Sequence, residues 1–111
     1  MNYYEQVLIT KQGIADAGLK KLIDSHKKTI SSNGGEVHGT EDWGLKQLQH
    51  NIKGNKKGYY FLFYIKGKDI KIHEIESAML LNEDIIRFLT TKIEKIPEDP
   101  SLMISEKRNT R

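Results

Sequence analysis

The residues of this chain that could do chemistry are four histidines, two pairs of neighbouring acids and a run of lysines. His26, His38, His50 and His73 fall into none of the close spacings that tetrahedral metal sites use. The absence of cysteine removes thiolate ligands, thiol nucleophiles and disulfides. Glu41 and Asp42 are adjacent in an extended run, so their carboxylates point to opposite faces and cannot act unaided as a paired acid and base. Glu83 and Asp84 sit at a helix-to-strand turn, where acids are favoured for conformational reasons. Ser31-Ser32 lacks the flanking glycines of a nucleophile elbow. Neither of the glycine-rich phosphate loops occurs. These residues point to a protein that is not an enzyme, with no catalytic site, no cofactor, no metal and no small-molecule substrate.

The lysines are different. From Trp43 to Lys68 there are six, Lys46, Lys53, Lys56, Lys57, Lys66 and Lys68, and no acid. The whole chain carries a net charge of only +3, so its positive excess is concentrated here. Phosphate contacts need cations whose spacing a scaffold sets, and a long hairpin with lysines at its tip can reach a nucleic-acid backbone. The same lysines would also serve as a solvated turn that discourages edge pairing. Charge alone does not separate the two readings.

The scaffold follows from the periodicities. A chain of 111 residues, 37% hydrophobic and 30% charged, makes one domain with one core and a well-solvated surface. No apolar run approaches the ~20 residues of a membrane span, and MNYYEQ shows no basic-then-apolar secretory pattern. Tyr3 to Thr10 reads as a strand. Ala15, Leu19, Leu22, Ile23, His26 and Ile30 recur at spacings of three and four, a helical stripe that makes His26 a core-edge residue rather than a ligand. Asn33-Gly34-Gly35 stops that helix. Glu36 to Ile52 is a long strand with bends or bulges at Gly39 and Gly44, and the lysine-rich stretch 53–58 is the turn after it. Tyr59 to Ile65 is the strongest strand. Asp69 is placed to cap a second helix that carries Ile72, Ile75 and Met79 on one face. Ile85 to Ile93 is a fourth strand, and Pro97 and Pro100 open a polar tail.

The order β-α-β-β-α-β predicts an α+β, ferredoxin-like sandwich: a four-stranded antiparallel sheet with both helices on one face. Residues 1–96 form the domain and 97–111 a flexible tail. Phe61, Phe63 and Ile65 point one way along the third strand and Tyr60, Leu62 and Tyr64 the other. Two helices cover only one side. Tyr60, Leu62 and Tyr64 therefore make a candidate protein-partner surface, unless the tail or a second copy covers it.

Two resemblances concern RNA. The run 57–64, KGYYFLFY, resembles the octapeptide of RNA-recognition-motif domains. Tyr60 stands where that motif wants a small residue, and the companion asparagine is missing from the first strand. The fuller likeness is to the family of bacterial small-ribosomal-subunit protein six. Glu41-Asp42-Trp43-Gly44-Leu45-Lys46-Gln47-Leu48 resembles its E-[DE]-[WL]-G-x-[RK]-x-L, and Asn82-Glu83-Asp84-Ile85-Ile86-Arg87 resembles its N/R-[DE]-x-[VI]-[IL]-R. Tyr4-Glu5, Ile52-Lys53 and Gly58-Tyr59-Tyr60 match at consistent spacings, so the likeness runs over about residues 2–96. This chain has His50-Asn51 where the family commonly has Tyr-Pro, and a neutral Gln47 where it often has a second basic residue.

The resemblance implies a structural constituent of a bacterial or organellar small ribosomal subunit, in the cytoplasm for a bacterial one. It implies binding to the central domain of the small-subunit rRNA together with small-subunit protein eighteen. Lys46, Gln47, Lys53, Lys56, Lys57 and Arg87 are the expected RNA-binding residues. The alternatives are a free-standing single-strand RNA binder of the recognition-motif type and a small oligomeric regulator that self-associates through the open sheet face.

Overall fold

Six elements occur in the predicted order: β1 (Asn2–Lys11), α1 (Asp16–Ser32), β2 (Glu36–Ile52), β3 (Asn55–Gly67), α2 (Ile72–Leu81) and β4 (Ile85–Ile93). The structure, a computed structural model, describes residues 1–96. The tail expected over 97–111 lies outside the described residues. The strands form one sheet in the order β2-β3-β1-β4, each neighbour antiparallel. β1 and β3 are central, and β2 and β4 are the edges.

The alternation of side chains along the strands decides which face each residue serves. Leu8, Phe61, Phe63, Ile65 and Ile85 point to one side, where they pack with Leu22 and Ile30 of α1 and Ile75 and Met79 of α2. Both helices thus share one face. The phase of β3 also disposes of the RNA-recognition-motif alternative. Tyr59 and Phe61, which would have to stack on bases, lie on the helix side, and Phe61 is only 5% exposed. The octapeptide is present in letters but turned by one residue, which puts its aromatic positions in the core.

A polar chain crosses this core. The Nε2–H of His26 donates to Oε1 of Gln6 at 2.6 Å, and Nε2 of Gln6 donates to Oγ1 of Thr90 at 2.9 Å. The imidazole meets the Phe63 ring edge-on, with centroids 4.9 Å apart. Burial pushes the His26 pKa down to about 4, so the ring is neutral at pH 7. His26 and Gln6 are fully enclosed rather than at the edge of the core.

Three expectations need correction. Asp69 does not cap α2. The helix begins at Ile72 with Lys71 in the cap position and no side-chain cap, and the backbone carbonyl of Lys71 takes the first amides, from Glu74 and Ile75. Nor is 53–58 one long turn: Ile52 pairs with Asn55 around Lys53-Gly54, both with positive φ, a tight two-residue hairpin loop. Lys56 and Lys57 therefore belong to β3. Lastly, the helix-free face is less open than two helices alone would leave it. Leu62 and Tyr64 are fully buried there, packed with Trp43 of β2 and with Ile96 beyond β4.

A basic hairpin folded over the helix-free sheet face

The pairing of β2 with β3 shifts register three times, first between Val37 and Gly39, and the other two shifts shape this face. One is at Asp42-Trp43-Gly44. The Asp42 carboxylate accepts the Gly44 N–H at 2.8 Å, and Gly44 adopts φ +77°, a conformation that favours glycine. The resulting bulge delivers Trp43 to the helix-free side. There its ring lies nearly parallel to Tyr60, at 9° with centroids 6.4 Å apart. Lys46 Nζ stands 5.8 Å from the Trp43 ring centroid, within cation–π range. The E-D-W-G segment is thus a device for aiming an indole.

The other lies between the pairs Gln47↔Lys57 and Ile52↔Asn55, where β2 carries more residues than β3 and bows out of the ladder. The bow brings Leu48 down onto Ile9 and Ile86. Gly58 lets β3 close against β1 beside it: a Cβ there would stand 2.7 Å from Ile9 Cγ2 and from the Thr10 carbonyl oxygen, and at an ordinary contact distance of 3.7 Å from Leu48 Cδ2. The tip is tied down by Asn55. Its side-chain amide donates to the Ile52 and Lys53 carbonyls, and its Oδ1 accepts the Gln12 N–H.

The bow brings distant residues together. Gln49, His50 and Ile52 of β2 join Ile9, Tyr60 and Arg87 around a hollow of about 130 Å³. Arg87 also borders a second hollow of about 170 Å³, lined otherwise by Val7, Ile9, Phe88 and Leu89. Leu89, 63% exposed, is the apolar residue that this face offers most openly.

The expected RNA-binding residues divide. Gln47, Lys53, Lys56, Lys57 and Arg87 are exposed, while Lys46 is half-buried against Trp43. Gln47 pairs with Lys57 and Lys46 with Gly58, so Gln47 and Lys57 share one face of the hairpin and Lys46 lies on the other. Among the described residues the ion pairs join Lys11 to Asp84 at 3.0 Å and Lys66 to Glu36 at 3.9 Å, leaving Lys53, Lys56, Lys57 and Arg87 without a carboxylate. Of the three expected partner-facing residues, Tyr60 is half-buried and only Leu62 and Tyr64 are closed off. Burial, and then the Glu5 and Glu41 carboxylates, push the Tyr64 phenol up to about 12.

Gln49 and His50 were not among the expected residues. Their part in the hollow depends on the bow, which no local pattern marks. Among the described residues no three histidines or acids gather as a metal site, and no helix is long and apolar enough to cross a membrane.

The fold defines a small α+β sandwich of the ferredoxin-like class that carries an exposed basic hairpin. The comparisons with known proteins agree. Residues 3–92 match the family model described as ribosomal protein S6. The chain is 38% identical to small ribosomal subunit protein bS6 of Sinorhizobium fredii, over 96% of this chain and 72% of the relative. It is 39% identical to the bS6 of Bartonella bacilliformis, over 95% of this chain and 77% of the relative. Its backbone superposes on the 30S ribosomal protein S6 of Thermotoga maritima with a TM-score of 0.78, at 22% identity, covering 99% of this chain and 98% of the other. The chain belongs to the ribosomal protein S6 family. It is a small-subunit ribosomal protein and not an enzyme, and its place is in the cytoplasm, on the ribosome.

Proposed function

We propose that this chain is a structural constituent of the small subunit that binds the central domain of its rRNA together with small-subunit protein eighteen. The observation that carries the reading is the position of Arg87, which borders both hollows of the helix-free face. On one side stand Gln49, His50 and Tyr60, beside a hairpin whose exposed lysines have no acidic neighbour on the strand. On the other stand Val7, Phe88 and exposed Leu89. A cationic, polar patch suits a phosphate backbone, and an apolar hollow beside it suits a protein side chain. Arg87 can therefore serve RNA and protein at one boundary.

The RNA contacts are Gln47, Lys53, Lys56, Lys57 and Arg87, with Lys46 held nearer the aromatic pair. Burial of Leu62 and Tyr64 moves the protein contact to Tyr60 and the Val7–Leu89 hollow. The test is a titration of central-domain rRNA fragments with and without protein eighteen. Binding should be weak alone and much tighter with the partner. Leu89→Ala should weaken capture of the partner in the absence of RNA, and Lys57→Ala should not. Failure of the fragments to bind under either condition would overturn the reading.

A further inference from the structure

We propose that the hollow between Tyr60, Arg87 and the bowed segment of β2 is a subsite for a single unpaired nucleobase. The inference rests on the RNA-binding reading above and names what one part of that surface takes. Three observations carry it. The first is size and shape: about 130 Å³ is room for one planar ring and too little for a base pair. The second is the composition of the walls. Ile9, Leu48 and Ile52 supply apolar surface, and Gln49, His50 and Arg87 supply hydrogen-bonding groups. That combination suits a base, which has apolar faces and a polar edge. A phosphate would leave the apolar walls of Ile9, Leu48 and Ile52 uncovered, and an aliphatic side chain would leave the polar groups unused.

The third observation is the aromatic stack. Lys46, Trp43 and Tyr60 form a cation–aromatic–aromatic series on the helix-free face, and Tyr60 is also a wall of the hollow. A base in the hollow would lie against an aromatic wall. On the opposite edge sheet strand, the planar guanidinium of Arg87 can lie over a base or bond its edge. Lys53 at the tip and Lys56, on the Tyr60 side of β3, would bring the RNA backbone to the rim without reading sequence. The hollow would then add the one contact that depends on a base being present. Stacking on an aromatic is tolerant of base identity, so the requirement is for an unpaired nucleotide more than for a given letter.

The experiment uses the full chain with protein eighteen and a central-domain rRNA fragment. Single abasic substitutions are placed at each unpaired nucleotide in turn, and binding is measured for the wild type and for the Gln49→Ala/His50→Ala double variant. Both replaced residues are exposed, so the variant should fold normally. Ultraviolet cross-linking with mass spectrometry reads the contact independently. The expected result is one position where loss of the base weakens wild-type binding about tenfold, some 1.4 kcal/mol. The double variant should lose clearly less there, and the intact nucleotide should cross-link to Tyr60 or His50. Abasic effects absent at every position, with lysine substitutions still lowering the salt dependence, would overturn the base subsite and leave backbone binding standing. Weaker binding of protein eighteen to the double variant without RNA would assign the hollow to a protein side chain and also overturn it. Absence of RNA binding under all conditions would overturn both proposals.

Discussion

The Nε2 of His26, on α1, lies 2.6 Å from Oε1 of Gln6, on β1, inside the core. Gln6 then reaches Thr90 on β4, so one buried chain of hydrogen bonds joins a helix to two strands. Each member needs the next. Gln6 offers its carbonyl to the histidine and its amide to the threonine, which fixes the amide orientation and places the imidazole proton on Nε2.

This chain makes stability depend on pH. The His26 pKa falls from 6.5 in the unfolded chain to about 4 in the folded one, through burial. Between those values the unfolded state binds the extra proton. The contribution is therefore complete above pH 6.5, is lost as pH falls toward 4, and changes no further below that. The slope approaches about 1.4 kcal/mol per pH unit at its steepest. His26→Leu should remove this slope and cost about 1–3 kcal/mol at pH 7, because it strands the Gln6 carbonyl. Urea denaturation across pH 4–7.5 checks both; equal slopes in the two proteins would refute the assignment.

The bulge at Asp42-Trp43-Gly44 gives a spectroscopic prediction. Nothing stands within 4 Å of a Cβ placed on Gly44, so Gly44→Ala tests the φ of +77° alone. It should cost roughly 1–2 kcal/mol. Trp43 is the sole tryptophan and is buried, so its emission should shift to the red as the bulge relaxes. Asp42→Ala should shift it in the same direction by less. Unchanged emission in both variants would mean that the bulge does not place the indole.

Gly58 has the opposite character: its φ is unremarkable and its surroundings are crowded. A methyl group there meets Ile9 and the Thr10 backbone at 2.7 Å, and backbone does not yield as a side chain tip does. Gly58→Ala should destabilise the domain by about 1–3 kcal/mol. It should also lift Leu48 from Ile9 and Ile86 and open the hairpin, which hydrogen exchange of the β2 amides near Leu48 would report as faster exchange. Protection as in the wild type would show that the bow does not depend on Gly58.

Much of this architecture was legible in the residues, and the limits have physical causes. β2 and β4 begin and end where glycines, turn residues and alternation say they should. The faces of β3 follow from its period of two. The capping expectation for Asp69 failed because Lys71 and its backbone carbonyl start the helix later. Burial of Leu62 and Tyr64 was hidden because it depends on Trp43, which a bulge turns across the sheet, and on Ile96, remote from both in sequence. The hollow was hidden for the same reason. Gln49 and His50 meet Arg87 only through Leu48 packing on Ile9 and Ile86, contacts between three strands that no local pattern encodes.

The lysines give the prediction that bears most directly on function. A lysine–phosphate contact releases counterions, so each one lost should reduce the salt slope of RNA binding by about one. Lys53, Lys56, Lys57 and Arg87 are exposed and have no carboxylate partner among the described residues, so alanine at each should change folding stability by no more than about 0.5 kcal/mol. For Lys53, Lys56 and Lys57 binding should weaken alike for related and unrelated RNAs, since the contact reads charge and not base identity. Lys46 should behave differently. Half-buried, with its ammonium over Trp43, it contributes to the face itself, and Lys46→Ala should cost about 0.5–1 kcal/mol of stability as well as any RNA contact. Titrations of rRNA fragments at several salt concentrations, paired with thermal unfolding of each variant, separate the two behaviours. Salt slopes unchanged across Lys53, Lys56, Lys57 and Arg87 would reduce the hairpin to a solubilising turn. A stable Lys46→Ala variant with a lowered slope would instead place Lys46 among the phosphate contacts and out of the aromatic stack.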